Sequence, residues 1–198
     1  MDIDIINLSK KYGEKEVLRN FSIRISEGAV TSVMAPSGAG KTTLLKILAG
    51  LEKADEGSVT GMEGSRIGMV FQEDRLCENL NAIANIRLVC DSRVTVPQIE
   101  KELRRVGLEG SERQPVRELS GGMRRRTALV RALLSPYDIL ILDEPFKGLD
   151  EHKKNEVMSY TLKKSMGKTV ILVTHDEKEA KFMGGKIIYM NDNNYRTN

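Results

Sequence analysis

The feature that most constrains the fold is a glycine-rich segment that lies between an apolar run and a helical pattern. The apolar run 30–34 is followed by APSGAGKT over residues 35–42, and regularly spaced apolar residues then continue from Leu44 to Leu48. This order of strand, glycine-rich turn and helix is the one that a P-loop requires. Glycines let successive backbone N–H groups face phosphate oxygens, and the start of the helix adds partial positive charge. The segment therefore predicts a polyphosphate site.

Three residues of this turn carry specific expectations. Lys41 is expected to bring a point charge to the β- and γ-phosphates of a nucleotide, and Thr42 a hydroxyl group to Mg²⁺. The leading position of the motif holds Ala35 instead of glycine. If that position needs a positive φ, alanine costs about 1–2 kcal/mol and lowers the affinity for nucleotide.

Composition excludes several classes of protein. A chain of 198 residues is long enough for one domain with a substantial core, and its net charge of +3 gives no case for a nucleic-acid partner. The basic run 124–126 is predicted to be a solvated helix face. Cys77 and Cys90 form no metal-binding pattern and suit a reducing cytosol. We find no signal peptide and no stretch of 18 apolar residues, so the chain is not expected to cross a membrane by itself.

The order of predicted elements indicates an α/β fold. Short β-prone runs cover residues 3–8, 17–25, 30–34, 58–60 and 67–71, and helical spacing follows over 81–106. A strong helix opens at 120–122 and stops at 135–136. Continuously apolar runs at 139–142 and 169–174 are typical of central parallel strands. Helices are predicted over 151–165 and 176–183, the run 186–190 is expected to close the fold as a strand, and the tail 191–198 is expected to fray.

A pair of acidic residues ends the buried run 139–142. In an open α/β sheet ligands bind at the carboxyl ends of the strands, and adjacent carboxylates there are costly unless a cation compensates them. Asp143 is therefore a candidate Mg²⁺ ligand beside Thr42, and Glu144 would face an attacking water. The alternative is a loop with two solvated acids.

From these segments the chain resembles, almost end to end, the nucleotide-binding subunit of ABC transporters. Six features occur in the family's order. They are Tyr12 where the family places an aromatic ring against adenine, the P-loop, Gln72 of the Q-loop, the signature Leu119-Ser120-Gly121-Gly122-Met123, the acidic pair Asp143-Glu144 with Gly148-Leu149-Asp150, and His175 of the switch.

The resemblance implies a role for each matching residue. Glu144 would orient and polarise water, and His175 would contact the γ-phosphate, with a core-filling histidine as the alternative. Thr42, Gln72 and Asp143 would arrange Mg²⁺, and Tyr12 would stack on adenine, with a packed surface aromatic as the alternative. The nucleotide-binding residues that it implies are Tyr12, Ala35, Pro36, Ser37, Gly38, Ala39, Gly40, Lys41, Thr42, Thr43, Ser120, Gly121 and Gly122.

The resemblance also implies an architecture and an assembly. It implies a single ABC-type ATPase domain over 1–198, with a mainly parallel core sheet, an N-terminal antiparallel β-subdomain and a helical subdomain over about 73–118. Two copies would pack head to tail, each ATP lying between one P-loop and the partner's Ser120-Gly121-Gly122. A serine–glycine helix start exposes unsatisfied N–H groups and could bind a second anion, although a plain serine N-cap is the alternative. Methionine replaces the usual glutamine at Met123, which should leave phosphate contact intact.

Several segments resemble importer ATPases of the nitrate, sulfonate and taurine type. They are 72–76, 143–146 and 174–180. This resemblance implies a cytoplasmic ATPase that lies peripherally on the inner face of the cell membrane and powers solute uptake through separate permease subunits. The alternatives are the ATPase of an ABC exporter, a soluble ABC protein that acts on ribosomes or DNA, and a regulatory module with little catalysis.

Overall fold

The computed structural model describes residues 1–36, 38–191 and 194–197, and for 191 and 194–197 it describes the backbone alone. Within them two β-sheets and six α-helices form the fold. The strands are β1 (Ile3–Tyr12), β2 (Lys15–Ile25), β3 (Val30–Met34), β4 (Glu56–Thr60), β5 (Ile67–Val70), β6 (Ile139–Asp143), β7 (Thr169–Thr174), β8 (Lys186–Asn191) and β9 (Asn194–Thr197). The helices are α1 (Lys41–Leu48), α2 (Ala82–Arg87), α3 (Val96–Arg105), α4 (Gly121–Leu134), α5 (Glu151–Lys164) and α6 (Glu177–Met183), with a short 3-10 turn at Val116–Glu118.

A six-stranded sheet in the order β5-β6-β7-β3-β8-β9 forms the centre of the molecule. The strands from β5 to β8 in this order are parallel, and β9 runs antiparallel to β8. Every residue of β6 and β7 is buried, as expected for strands with both faces covered. Because side chains alternate across a strand, Leu140 and Leu142 pack with the cluster around α4 and α5, whereas Ile139 and Ile141 pack with the cluster around α1.

The N-terminal strands form a separate antiparallel sheet in the order β2-β1-β4. Ile3, Ile5 and Leu8 of β1 are buried, and they belong to the same apolar cluster as Leu44 and Leu45 of α1. This packing brings the β1–β2 hairpin against the helix that follows the glycine-rich turn. It therefore places the start of β2 beside that turn.

The segment between β5 and α4 is helical but interrupted. α2 has Asn81 as its N-cap, and α3 begins with a capping box between Thr95 and Gln98 and with Pro97 in its first turn. The structure divides the predicted helical stretch 81–106 into these two helices. Apolar residues of both helices pack against α4 and α5, which anchors the segment to the central sheet.

The predicted α/β fold, with an N-terminal antiparallel sheet and a mainly parallel core sheet, is confirmed. Two local predictions are wrong. Residues 194–197 form β9 on the edge of the core sheet, so the tail is not frayed there and β8 does not close the sheet. The basic run is not a solvated helix face, because Arg125 is only 5% exposed and Arg124 and Arg126 are half-buried. The tertiary contacts of Arg125 replace the water that the prediction assumed.

Candidate functional site

The glycine-rich turn lies at the carboxyl end of β3 and leads directly into α1. Gly38 and Gly40 have φ values of 88° and 83°, a backbone region that strains other residues. A Cβ atom on Gly40 would stand 2.3 Å from the carbonyl oxygen of Val17, whereas one on Gly38 would meet no atom of the other described residues within 4 Å. Gly40 is thus required both by its backbone angle and by the close approach of β2.

Ala35, the first residue of the motif, does not have the backbone strain that a positive φ would cause. Ala35 does not have a positive φ, and it lies buried in the apolar cluster around α1. The penalty of about 1–2 kcal/mol that a positive φ would bring therefore does not apply. Ser37, predicted to bind nucleotide, lies outside the described residues.

The side chain of Lys41 lies over the turn from which it arises. Its Nζ donates to the carbonyl oxygens of Ala35 at 2.5 Å and of Pro36 at 3.2 Å, and only 8% of the residue is exposed. The amide of Ala39 also donates to the Pro36 carbonyl oxygen, at 3.3 Å. The ammonium group is therefore held against the backbone of the turn. Thr42 and Thr43, at the start of α1, line the neighbouring cleft.

The acidic pair stands across this cleft at the end of β6. Asp143 and Glu144 are 3% and 9% exposed, so the alternative of two solvated acids is wrong. The Thr42 hydroxyl donates to Asp143 Oδ2 at 3.4 Å, which joins the glycine-rich turn to the acidic pair. Glu144 has a φ of 46°, and its amide donates to the Val173 carbonyl oxygen at 2.8 Å. The unusual backbone turns the Glu144 side chain toward the cleft.

The two carboxyl groups have opposite shifts in pKa. Burial and the adjacent Glu144 charge raise the pKa of Asp143, although the Thr42 hydroxyl and nearby cations oppose them. Burial also acts to raise the pKa of Glu144, but a hydrogen bond with His175 and the charge of Lys147 outweigh it, so that pKa is lowered. Glu144 therefore favours its ionised form, as a group that polarises water needs.

These residues fit a hard cation such as Mg²⁺. Asp143, Thr42 and Gln72 line one cleft and offer carboxylate, hydroxyl and amide oxygens, the ligands that Mg²⁺ prefers. Glu144 Oε2 is buried and has no hydrogen-bond partner in the described part of the chain, although Lys147 Nζ lies 3.3 Å away. No group of three His, Cys, Asp or Glu among the described residues could hold a metal.

His175 follows β7 and lies beside the acidic pair. Its Nδ1 is 3.2 Å from Glu144 Oε1, and its side chain is 61% exposed, so the alternative of a core-filling histidine is wrong. The loop around it is fixed by the Thr174 hydroxyl, which donates to Glu179 at 2.6 Å and accepts from the Asp176 amide at 3.1 Å. His175 thus follows directly after the end of β7, which these hydrogen bonds hold in place.

The predicted aromatic residue lies at the end of β1, on the hairpin that approaches the cleft. Tyr12 is 46% exposed, and its hydroxyl donates to Glu52 at 3.2 Å. The ammonium of Lys10 lies 5.4 Å from the ring centre and forms ion pairs with Glu52 and Asp55. The ring is therefore exposed beside these contacts, and Tyr12 is not among the residues that line the cleft around the glycine-rich turn.

The signature segment lies apart from this cleft. Ser120 is the N-cap of α4 and accepts from the Met123 amide at 3.3 Å, so the serine N-cap is present. Ser120 and Gly121 are exposed, and none of Ser120, Gly121 and Gly122 lines the cleft around the glycine-rich turn. A Cβ on Gly122 would lie 3.6 Å from the Gly148 carbonyl oxygen. Within one chain the structure therefore does not bring the two predicted phosphate sites together.

Sequence reasoning missed four residues of the site. Lys15 and Val17 line the cleft from the β1–β2 hairpin, Lys147 forms an ion pair with Glu144, and Arg125 bonds the backbone behind the acidic pair. The hairpin turn at Gly13 signals that Lys15 lies near Tyr12, with which it pairs. Lys147 lies only three residues after Glu144, but the folded turn is what brings the two side chains together. No local signal marks Val17 or Arg125, because the packing of β2 and of α4 places them here.

Comparison with known proteins identifies the family. Residues 18–147 match the family described as ABC transporter. The chain belongs to this family. That segment contains the glycine-rich turn, Gln72, the signature and the acidic pair, so the family assignment rests on the same residues that line the cleft and open α4.

Curated relatives are import ATP-binding proteins. The chain is 37% identical over 206 residues to the spermidine/putrescine import ATP-binding protein PotA of Spiroplasma citri, covering 96% of this chain and 59% of that protein. It is 38% identical over 197 residues to the aliphatic sulfonates import ATP-binding protein SsuB 1 of Rhodococcus jostii, covering 96% and 79%. The chain therefore spans less than two thirds of the first relative's length.

The fold also matches a solved ABC cassette. The dimeric structure of MJ0796, a bacterial ABC transporter cassette, is 31% identical, covers 98% of both chains and superposes with a TM-score of 0.87. A second structure of that cassette, a post-hydrolysis state bound to ADP and Pi, has a TM-score of 0.86 at the same identity and coverage. The structural similarity to this cassette therefore extends over nearly the whole chain.

Proposed function

We propose that the chain binds ATP with Mg²⁺ and hydrolyses it, as the ATPase subunit of an ABC importer. The observation that carries this proposal is the meeting of the Lys41 turn with the acidic pair through Thr42 and Asp143, 3.4 Å apart, next to the bonded Glu144 and His175. Hydrolysis of a phosphoanhydride needs mainly positioning and charge stabilisation. A cation-compatible cleft with an ionised carboxylate supplies both requirements.

Residues of the cleft, together with Tyr12 and His175, have distinct roles in this reaction. The backbone amides of the glycine-rich turn and the ammonium of Lys41 bind the phosphates, and Tyr12 stacks on adenine, with Lys15 close by. Glu144 orients the attacking water and draws on its proton, and His175 contacts the γ-phosphate while it fixes the Glu144 carboxylate. Binding and water activation are thus assigned to different walls of the cleft.

Mg²⁺ would be held by Thr42, Gln72 and Asp143. When bound, it would neutralise charge on the phosphate oxygens. The raised pKa of Asp143 and the lack of a hydrogen bond from any described residue to the buried Oε2 of Glu144 are the features of the cleft that a cation relieves. This is the chemical reason for including the ion in the proposal.

The active assembly that we propose is a head-to-tail homodimer. Ser120, Gly121 and Gly122 lie at an exposed helix start outside the cleft, where unsatisfied amides favour an anion. In a pair of chains this helix start would face the nucleotide held by the partner. MJ0796, which this chain resembles closely, has been solved as a dimer.

Coupling to transport would use the helical segment over about 73–118, which we propose as a subdomain of a single 1–198 ATPase domain. Leu88, Val89 and Val96 at the end of α2 and the start of α3 are 62%, 40% and 38% exposed, and such apolar residues suit contact with a permease. No described helix is long and apolar enough to span a bilayer. We place the chain peripherally on the cytoplasmic face of the membrane, with separate permease subunits, because the relatives are import ATP-binding proteins, which also favours uptake over export.

Phosphate release from the purified chain tests this proposal. The wild type should release phosphate from MgATP, and Glu144→Gln should bind ATP yet lose about 100-fold or more in turnover. Lys41→Ala should weaken ATP binding itself, while Lys53→Ala, which removes an exposed lysine beyond α1, is the matched control. Retained turnover in Glu144→Gln or unchanged ATP affinity in Lys41→Ala would contradict the assigned roles.

A further inference from the structure

A buried arginine lies directly behind the acidic pair. Arg125, on the second turn of α4, is only 5% exposed, and Asp74 is the carboxylate paired with it, at 3.1 Å. Removing a guanidinium from water is costly unless its N–H groups find partners. The N–H groups of the Arg125 guanidinium must therefore find hydrogen-bond acceptors inside the protein.

All three nitrogens of the guanidinium donate to oxygen atoms of two other segments. Nη2 donates to the carbonyl oxygens of Asp143 at 2.5 Å and Glu144 at 2.7 Å, and Nε donates to that of Pro145 at 3.2 Å. Nη1 donates to the carbonyl oxygens of Phe71 at 2.5 Å and Gln72 at 3.4 Å, and to Asp74 Oδ1 at 3.1 Å. The planar fork of one side chain thus joins α4 to the acidic pair and to the Gln72 segment.

Arg125 binds the backbone at Glu144, which is strained. Glu144 has a φ of 46°, which costs a residue with a Cβ about 1–2 kcal/mol and persists only where neighbours enforce it. The Glu144 amide is fixed by Val173, and its carbonyl oxygen accepts from Arg125 and from the Lys147 amide. Without Arg125 that carbonyl would lose its charged donor, and the peptide that aims the carboxylate would be freer to turn.

We propose that Arg125 is a positioning residue for hydrolysis, which holds the Glu144 and Gln72 backbones in their working places relative to α4. Arg125 contacts no reacting atom and acts through Glu144. Ser120 is the N-cap of the same helix, so in the proposed dimer α4 connects the serine that faces one nucleotide with the carboxylate that serves the other. The inference rests on the proposed function, because it assigns Arg125 to that same reaction.

The test compares Arg125→Gln with the matched control Arg131→Gln. Arg131 lies on the same helix and also binds the loop after Gln72, through the carbonyl oxygens of Arg75 and Asp74, but it is not bonded to residues 143–145. Arg125→Gln should lower kcat about tenfold or more with an ATP affinity within about threefold of the wild type, since small misplacements of a catalytic group cost up to about 100-fold. Arg131→Gln should keep kcat within about twofold.

A double variant separates positioning from general damage. In the Glu144→Gln background, single-turnover hydrolysis should be no slower after Arg125→Gln, because the group that Arg125 positions has already been disabled. If Arg125→Gln does not fold, Arg125→Lys decides the question, since lysine keeps the charge beside Asp74 but cannot reach both segments. It should restore the melting temperature without restoring kcat.

Three results would overturn the inference. They are a kcat of Arg125→Gln within about twofold of the wild type, an equal further loss in the Glu144→Gln background, and full recovery of kcat in Arg125→Lys. The proposed function fails differently, because then the wild-type chain itself would release no phosphate. The wild-type measurement therefore distinguishes the two failures.

Discussion

His175 Nδ1 lies 3.2 Å from Glu144 Oε1, although the two residues follow different strands of the core sheet. β6 and β7 are parallel neighbours, with Asp143 opposite Val173, so their carboxyl ends reach the same edge. The contact fixes the orientation of a carboxylate that otherwise accepts few hydrogen bonds. It makes the histidine and the carboxylate one unit.

Removing this histidine should therefore slow hydrolysis more than it weakens binding. His175→Ala should lower kcat about tenfold or more, because Glu144, the proposed general base, loses its orienting partner. Steady-state phosphate release and ATP titration would measure the two effects. His152→Ala is the matched control, since it removes the other histidine, which is 80% exposed on α5. Equal kcat values for the two variants would contradict the role of His175.

The two glycines of the turn should differ in their tolerance of alanine. Their φ values of 88° and 83° impose similar strain, about 1–2 kcal/mol each. Gly40→Ala adds a Cβ at 2.3 Å from the Val17 carbonyl oxygen, whereas the Cβ of Gly38→Ala meets no atom within 4 Å in the part of the chain that the structure describes. Gly40→Ala should therefore be clearly the less stable variant in urea unfolding. Equal stabilities would show that β2 does not approach the turn as described.

Glu102 should make the free energy of unfolding depend on pH in the acid range. It accepts from Tyr160 at 2.9 Å and pairs with Lys164 at 2.9 Å and Arg105 at 2.8 Å, which joins α3 to α5. Burial acts to raise its pKa, but the bonds from Lys164 and Tyr160 outweigh burial, so the pKa lies below the ordinary value of 4.5. Its contribution is therefore present above that value and is lost as the pH falls through the lowered pKa.

Urea unfolding of Glu102→Gln against the wild type measures this contribution. The variant should be less stable by about 1–3 kcal/mol at neutral pH, and the difference should shrink below pH 4.5. Glu100→Gln is the control on the same helix, because its partner Arg113 is 78% exposed and the pair is weak. A difference that stays constant from pH 7 into the acid range would contradict the role of Glu102.

Much of this structure could be predicted because the signals are local. Continuous apolar runs identified β6 and β7, and the Gly-Lys-Thr turn between strand and helix located α1. Parallel strands end at one edge, so the meeting of Thr42 and Asp143 followed from the chain order, whereas Gln72 was identified by the family resemblance. These features depend on neighbouring residues or on a simple topology.

The remaining features depend on contacts between distant segments. The run 124–126 has the composition of a solvated face, and only the packing of α4 against the ends of β5 and β6 gives Arg125 its carbonyl partners. The left-handed backbone of Glu144 and the approach of Val17 to Gly40 are likewise tertiary. Short polar segments also carry weak strand signals, which is why β9 was missed.

Nucleotide-dependent pairing of the chain tests the central claim most directly. A Glu144→Gln variant should bind MgATP without consuming it, and light scattering during gel filtration would then report its mass. We expect the variant to have, with MgATP, a mass that is twice the 22.1 kDa of one chain, and to have a lower mass without nucleotide. A variant that is saturated with MgATP and still elutes at the mass of one chain would contradict it.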